Sequence, residues 1–273
     1  MPSERLDVAV VGDNTIDRFL DEPELGDLVG GNALNVAVQL AMLGFRVGYF
    51  GAVGTDANAD IVRRAASARG VDLSGMITAD GPTALTTIRR DASGDRRFES
   101  EDFGVTADYY PDEAAMDRIS AARWVHVGML SRSRSFGEDL ARLSDPPVSQ
   151  DCSVSQEWHR LAVHFASASE DESEAERSIT EALAASAHIS VATLGARGAR
   201  AGQGGRRWRV AAHPVDVVDT TGAGDSFMAG FIAARLRGED VEWSLRSGTE
   251  RGSFTCQYMG GWPQLRADVS RFG

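Results

Sequence analysis

The stretch Asp219-Thr-Thr-Gly-Ala-Gly-Asp225 places two glycines and a carboxylate where a helix is about to begin. Gly222 and Gly224 lack the Cβ atoms that would keep a ligand off the backbone, and the first N–H groups of a helix have no internal acceptor. Such a turn cradles an anion, and the helix dipole adds to the attraction. A carboxylate beside it repels a phosphate unless it has a proton to take. General-base activation of a hydroxyl by Asp225 reconciles the two, with the amides of Gly222, Ala223 and Gly224 stabilising charge on a transferred phosphoryl group. An Asp N-cap after a glycine turn is the competing reading, and these residues alone leave both open.

The flanking patterns say what must position this turn. Val215-Asp-Val-Val218 is β-branched and predicts a short buried strand, while Phe227, Met228, Phe231, Ile232 and Leu236 recur at helical spacing. Near the start, Leu6–Gly12 reads as a buried strand ending in a glycine turn, with Asp13, Asn14 and Asp17 following. Polar groups at the carboxyl end of a strand in an α/β sheet are where ligands sit, though a solvated turn with an Asx cap also fits. Gly30 and Gly31 then precede a helix so dense in apolar residues from Leu34 to Leu43 that burial on most sides is expected, with Asn32 and Asn35 in its opening turn. A second strand over Arg46–Phe50, Asp56 as N-cap, a helix over Ala57–Arg69 and Gly70 as its stop give a βαβ rhythm.

The texture changes at Thr83. Thr83–Arg90 and Asp95–Phe98 flank a polar turn and predict a hairpin inserted into the parallel pattern. The rhythm returns with helices near 112–121 and 136–143, a strand over Trp124–Gly128 and another near Pro147. The acid run Ser167–Glu176 precedes a helix over Arg177–Ala187, where it reads as a solvated N-terminus. His188–Thr193 is a strand opening into Leu194-Gly-Ala-Arg-Gly198, and a helix over Val241–Tyr258 carries Ser247, Gly248, Thr249, Gly252 and Ser253. His126 alternates with apolar neighbours and reads as a core histidine; His159 and His164 lack the spacing of a helical metal pair.

Composition excludes several classes. A formal charge of -12 over 273 residues speaks against nucleic acid or an anionic membrane surface as the main partner. All 28 basic residues are arginine, so lysine-based phosphate binding and Schiff-base chemistry are ruled out. The two cysteines, Cys152 and Cys256, read as packing residues rather than a disulfide. With no basic start followed by a long apolar run, the expected setting is cytoplasmic.

Asp219–Phe231 resembles the C-terminal signature of the ribokinase-like, or PfkB-type, carbohydrate kinases. Gly30-Gly-Asn-Ala-Leu-Asn-Val-Ala-Val-Gln-Leu-Ala-Met-Leu-Gly44 is similar to their N-terminal signature, and Thr193–Gly198 to their nucleotide-side strand and turn. The resemblance implies one domain over 1–273, with a three-layer α/β fold, a mainly parallel sheet with helices on both faces, and a small β lid formed near 15–29 and 83–104. It implies ATP and Mg2+, with a monovalent cation often required, and a lid that covers the sugar and often pairs with a second subunit. By the same resemblance Asp225 is the base, Asp17 binds sugar hydroxyls with Asp13 as an additional candidate, and Gly31 and Asn35 contact the sugar, whereas Asn32 stands where many relatives carry another residue. Thr193, Gly195, Gly198 and Gly224 line the nucleotide, and the small residues of the final helix accept its adenine. Relatives orient magnesium with an Asn-x-x-Glu element: here Ser167 in the Asn place gives Glu170 as the glutamate, and a shifted alignment gives Asp171 and Glu174.

Within the family, Gly12–Asn14, Gly30–Val38 and Gln257–Trp262 resemble stretches of the members that phosphorylate fructosamines such as fructoselysine at carbon 6. A fructosamine carries a protonated amine at carbon 1, which should meet a carboxylate near the lid. Phe98-Glu-Ser-Glu-Asp-Phe103 offers Glu99, Glu101 and Asp102. Strict alternation puts Glu99 and Glu101 on one face and Asp102 on the other, with Asp102 the expected contact. A solvated acidic edge that discourages strand pairing is the competing reading.

Overall fold

A computed structural model describes residues 5–264 apart from 22, 23, 25, 91–95 and 156–159. The chain opens with β1 (Val8–Val11), whose side chains alternate between two cores. Val8 and Val10 join Leu34, Ile232 and Leu245 on one side, while Ala9 and Val11 join Ile119, Phe136 and Leu140 on the other. That period of two, with both faces apolar, is what a strand covered by helices on each side requires.

After β1, β2 (Thr15–Phe19) and β3 (Leu28–Gly30) leave the main sheet, and α1 (Asn32–Met42) returns to it with Ala33–Leu40 all buried. β4 (Val47–Val53), α2 (Ala57–Ser67) and β5 (Asp72–Thr78) complete the expected βαβ rhythm, with Asp56 capping α2 through Ala59 N–H. β6 (Leu85–Arg90) and β7 (Arg96–Asp102) form the inserted antiparallel hairpin. Then come α3 (Glu113–Ser120), β8 (Val125–Val127), α4 (Ser133–Leu143), β9 (Val148–Asp151), β10 (Val163–Ser167), α5 (Glu172–Ala184) and β11 (Ile189–Thr193). A second hairpin, β12 (Ala199–Gln203) and β13 (Arg206–Val210), precedes α6 (Ala223–Leu236) and α7 (Val241–Thr255).

The main sheet runs β13-β12-β11-β10-β9-β8-β1-β4-β5, parallel except at β12 and β13. A second sheet, β3-β2-β6-β7, is the lid expected from the segments near 15–29 and 83–104. Several elements differ from the sequence reading, β5 and β10 among those it did not contain. Val215–Val218 is no strand: Val217 and Val218 stand exposed, and the Val218 and Asp219 N–H groups donate to the Cys256 carbonyl beyond α7. α5 starts at Glu172, inside the acid run, because Asp171 caps it through the N–H groups of Ser173 and Glu174. β11 leads into an antiparallel hairpin whose turn, Gly204-Gly205, carries an unread hairpin signal. Among the described residues no helix is long and apolar enough to cross a membrane.

Candidate active site

The N-termini of α1 and α6 converge, and both draw carboxylates. Asp13 lies just past β1, where its Oδ2 accepts from Asn32 N–H at 2.8 Å and its Oδ1 from Ala33 N–H at 2.9 Å. This carboxylate therefore caps α1, a role worth about 0.5–2 kcal/mol. Asp225 sits in the first turn of α6, and its two oxygens accept from Asn32 Nδ2 at 2.7 Å and Asn35 Nδ2 at 2.6 Å. The second hydrogen of Asn32 Nδ2 goes to Asp151 Oδ2 at 2.8 Å, so one amide clamps two acids. Burial pushes the Asp225 carboxyl up to about 8, the nearby Asp151 and Asp13 charges add to the rise, and the two asparagine amides oppose it. Asp13 is raised by burial to about 6, and Asp151 upward for the same reason. A half-buried carboxylate held at both oxygens, its pKa raised to about 8, is suited to taking a proton.

Glycine at this junction answers two different demands. At Gly31 (φ 106) a Cβ would lie 2.4 Å from the Asn14 Cα, and at Gly222 (φ 70) it would lie 2.5 Å from the Gly261 Cα. Packing alone requires both. Gly224 has ordinary φ and open space where a Cβ would go, so nothing in the protein itself asks for glycine there. It faces a cavity of about 530 Å³ together with Thr193, Gly195, Gly198, Gly252 and Ser253. Val215 and Val217 line the same cavity, which explains why β-branched residues stand exposed on a segment that is not a strand. The Ala223 N–H, one of three amides expected in the anion hole, donates to the Thr220 carbonyl at 3.2 Å.

Glu170 reaches this cavity's edge, its Oε1 3.2 Å from where a Cβ on Gly195 would sit, and Ser167 lines the cavity. Asp171 is spent as the cap of α5, and Glu174 lies within that helix. The neighbouring acids are held by arginine, Glu172 with Arg197, Arg200 and Arg209, and Glu176 with Arg207. Among the described residues no group of three or more His, Cys, Asp or Glu could hold a metal ion by itself. One carboxylate beside a cavity fits magnesium in the form it usually takes, bound mainly by phosphate oxygens and water.

The lid sheet brings Asp17 over this site and turns Asp102 away from it. Leu28, Asp17, Thr86 and Glu101 are successive partners across β3, β2, β6 and β7, and so share one face. Asp17 is buried on that face, its Oδ2 2.6 Å from where a Cβ on Gly30 would point, so Gly30 makes room for it. The register slips between Thr87 and Ile88, which pair with Ser100 and Phe98 and leave Glu99 as a bulge. A bulge inserts one residue and reverses the alternation beyond it. Glu99 and Glu101 therefore lie on opposite faces, contrary to strict alternation, and Glu99 pairs with Arg89. Asp102 is opposite Leu85, exposed, with Oδ1 accepting from Gly104 N–H at 2.9 Å.

Of the expected residues, the structure gathers Asp13, Gly31, Asn35, Ala223, Gly224 and Asp225 at one helix-to-helix junction, places Asp17 on the lid above, and sets Thr193, Gly195, Gly198 and Glu170 around the larger cavity. Asp151 was not among them. It ends a strand of the main sheet, so the rule that singled out Asp13 and Asp17 applies to it equally. His126 is a core residue as read, bonded to the Ser149 hydroxyl at 3.0 Å and driven down to about 3 by burial.

The family model for pfkB family carbohydrate kinases matches residues 6–266. Fructoselysine 6-kinase of Escherichia coli (strain K12) is 32% identical over 93% of this chain and 99% of its own. A fructokinase of Salmonella typhimurium is 30% identical over 83% of each chain. Among solved structures, a ribokinase from Thermotoga maritima superposes with a TM-score of 0.81 at 20% identity, covering 97% of this chain and 98% of that one.

Proposed function

The chain belongs to the pfkB family of carbohydrate kinases, and from that premise we propose that it moves the γ-phosphoryl group of ATP to a hydroxyl of a fructosamine, with fructoselysine at carbon 6 as the leading substrate. One observation supports the chemistry above the others: a half-buried carboxylate, Asp225, follows directly on a glycine whose missing side chain opens a cavity. The substrate hydroxyl oxygen forms the new bond to phosphorus as its proton passes to Asp225, and the bond to the β-phosphate oxygen breaks to leave ADP. Asn32 and Asn35 hold both oxygens of Asp225 in place for that transfer. The Gly222 and Gly224 amides at the start of α6 face the transferred group, while Ala223 shapes the turn.

Thr193, Gly195, Gly198 and Gly224 give the triphosphate and ribose a backbone-lined channel, with the exposed valines and Gly252 as the bed for the base. Magnesium, held by the phosphates with Glu170, would offset the negative charge that no lysine is present to neutralise. Asp17 binds the sugar hydroxyls from the lid, with Gly31 and Asn35 below and Asp13 fixing that helix end. Glu101, on the face of Asp17, takes the role expected of Asp102 and meets the ammonium.

The fructosamine preference draws support from the 32% identity to a fructoselysine 6-kinase, and the fructokinase at 30% supplies the competitor. A panel of fructoselysine, fructose, ribose and 2-keto-3-deoxygluconate with Mg-ATP, read as ADP released, tests it. Fructoselysine is expected to lead by at least tenfold in kcat/KM. Equal or better turnover of a plain sugar overturns the substrate and leaves the kinase; no ADP from any acceptor overturns both.

A further inference from the structure

A second cavity, of about 270 Å³, lies at the start of α1, where it is lined by Asp13. Its lining is mixed, with Phe103, Met129, Leu130 and Val154 beside Thr106 and Ser155. Asp13 is bonded to Asn32 N–H, and Gly128, one residue before Met129, packs against the Asn32 side chain, where a Cβ would come within 2.6 Å of Oδ1. The cavity thus begins within a residue of the clamp on Asp225. Phe103 and Val154, two of the few large apolar side chains left exposed, stand in it at 42% and 37% exposure.

These walls are anchored rather than loose. Phe103 sits between Asp102, whose carboxylate holds Gly104 N–H, and Gly104 itself, whose left-handed backbone (φ 47) packs against the Pro82 carbonyl. The Ser155 hydroxyl donates to the Gly128 carbonyl and accepts from Leu130 N–H, tying the Val154 side to the turn after β8. Asp102 therefore serves the site indirectly, by fixing an aromatic wall.

We propose that this cavity receives the aliphatic chain carried on the amine of the substrate, and so makes the enzyme selective for fructosamines built on a long alkyl amine. This rests on the fructosamine reading above. A sugar held by Asp17 and presenting a hydroxyl to Asp225 sends its opposite end past the close of β7, where Phe103 stands two residues after Glu101. Phe103, Met129, Leu130 and Val154 give the cavity apolar walls for methylenes, and the exposure of Phe103 and Val154 leaves it open to a chain arriving from the lid. Fructose has nothing to place there.

The test is a chain-length series: fructose and its 1-deoxy-1-alkylamino derivatives from methyl to pentyl, measured by turnover with ATP and by calorimetric binding without it. Burial of a methylene is worth about 0.8 kcal/mol, so kcat/KM and affinity should each rise roughly two- to fourfold per added carbon before levelling off. Phe103→Ala and, as a second variant at an independent wall, Val154→Ser should flatten that slope; a merely structural effect would scale every member by one factor, fructose included. A flat series in the parent enzyme, in both turnover and binding, overturns the inference, as does uniform scaling in both variants. Failure of every member to accept phosphate while the binding slope persists overturns the substrate reading and leaves the cavity assignment standing.

Discussion

The two cavities at the starts of α6 and α1 are built from opposite materials. The larger is defined by what its residues lack: Gly195, Gly198, Gly224 and Gly252 leave backbone bare, and the valines beside them stand exposed. The smaller is defined by what its side chains bring from three separate segments, Phe103 at the lid's end, Met129 after β8 and Val154 after β9. Gly224 makes the contrast sharpest, since its neighbour two residues earlier, Gly222, is required by packing against Gly261 and it is not. A backbone-built surface tolerates variation around it but no added atom within it. A side-chain surface trades one group for another, and with it one substrate for another.

The Asp225 carboxylate should be the most sensitive point. Asp225→Asn is expected to keep the fold and to lower kcat by roughly 10²- to 10⁴-fold, the usual span for a lost general base. An amide fits there, because Asn35 has a buried Oδ1 without a partner and can turn it towards the new Nδ2. Retention of more than a third of parental turnover would remove Asp225 from that role.

On the backbone-built side, Gly224→Val should cut turnover at least about a hundredfold, much as loss of an oxyanion-hole donor does, with a melting temperature unchanged within error. The side chain enters open space at an ordinary φ, so no strain accompanies it. Gly222→Ala supplies the opposite outcome: strain at positive φ costs about 1–3 kcal/mol and appears first in thermal unfolding. If the two variants behaved alike, the contrast between ligand-facing and packing glycines would collapse.

On the side-chain side, Glu101→Gln should narrow the fructosamine-over-fructose ratio by roughly ten- to a hundredfold, the worth of one charge-assisted contact of about 1.5–3 kcal/mol. Asp102→Asn should move it less than about threefold, since an amide oxygen still accepts from Gly104 N–H. The reverse ranking would mean that the bulge at Glu99 does not set which acid faces the sugar.

The remaining effect is in pH. Asp225 works ionised and titrates near 8, so kcat/KM should rise close to tenfold per unit below that value and level off above it. Its stability linkage has the opposite sense. The native carboxyl holds its proton over a range where the unfolded one, near 3.8, has released it; the contribution is fully present below about pH 4 and is lost as pH rises through 8. The melting temperature of Asp225→Asn should therefore gain on the parent across that window, whereas a constant difference would argue against the raised value.

What was legible in the sequence follows the same division. The glycine turns at 30–31, 195–198 and 222–224 and the lid hairpin were all readable, because a missing side chain or a period of two is a local signal. Val215–Val218 misled because β-branched residues usually announce a strand, whereas here Val215 and the exposed Val217 line the cavity. Glu101 was out of reach, since one extra residue at Glu99 inverts every side chain after it and a bulge leaves no mark in composition. Asn32 looked like a departure from its relatives, and its hold on two acids 119 and 193 residues away depends on where three elements end.

The segment after α7 completes this junction. Asp219 accepts from Gly260 N–H at 2.7 Å, Gln39 Nε2 donates to the Gly261 carbonyl at 2.5 Å across 222 residues of chain, and Gln264 pairs through both ends of its amide with Val29 of β3. Because a domain generally folds as one unit, a chain lacking residues 256–264 would lack this tie between α1, β3 and the turn before α6. The Asp219 end of the turn carrying Asp225 gains its bond to Gly260 N–H only with that segment. A nascent chain stalled short of Gly260 would be catalytically silent, and phosphoryl transfer would begin only once that segment has left the ribosome and docked beside Asp219.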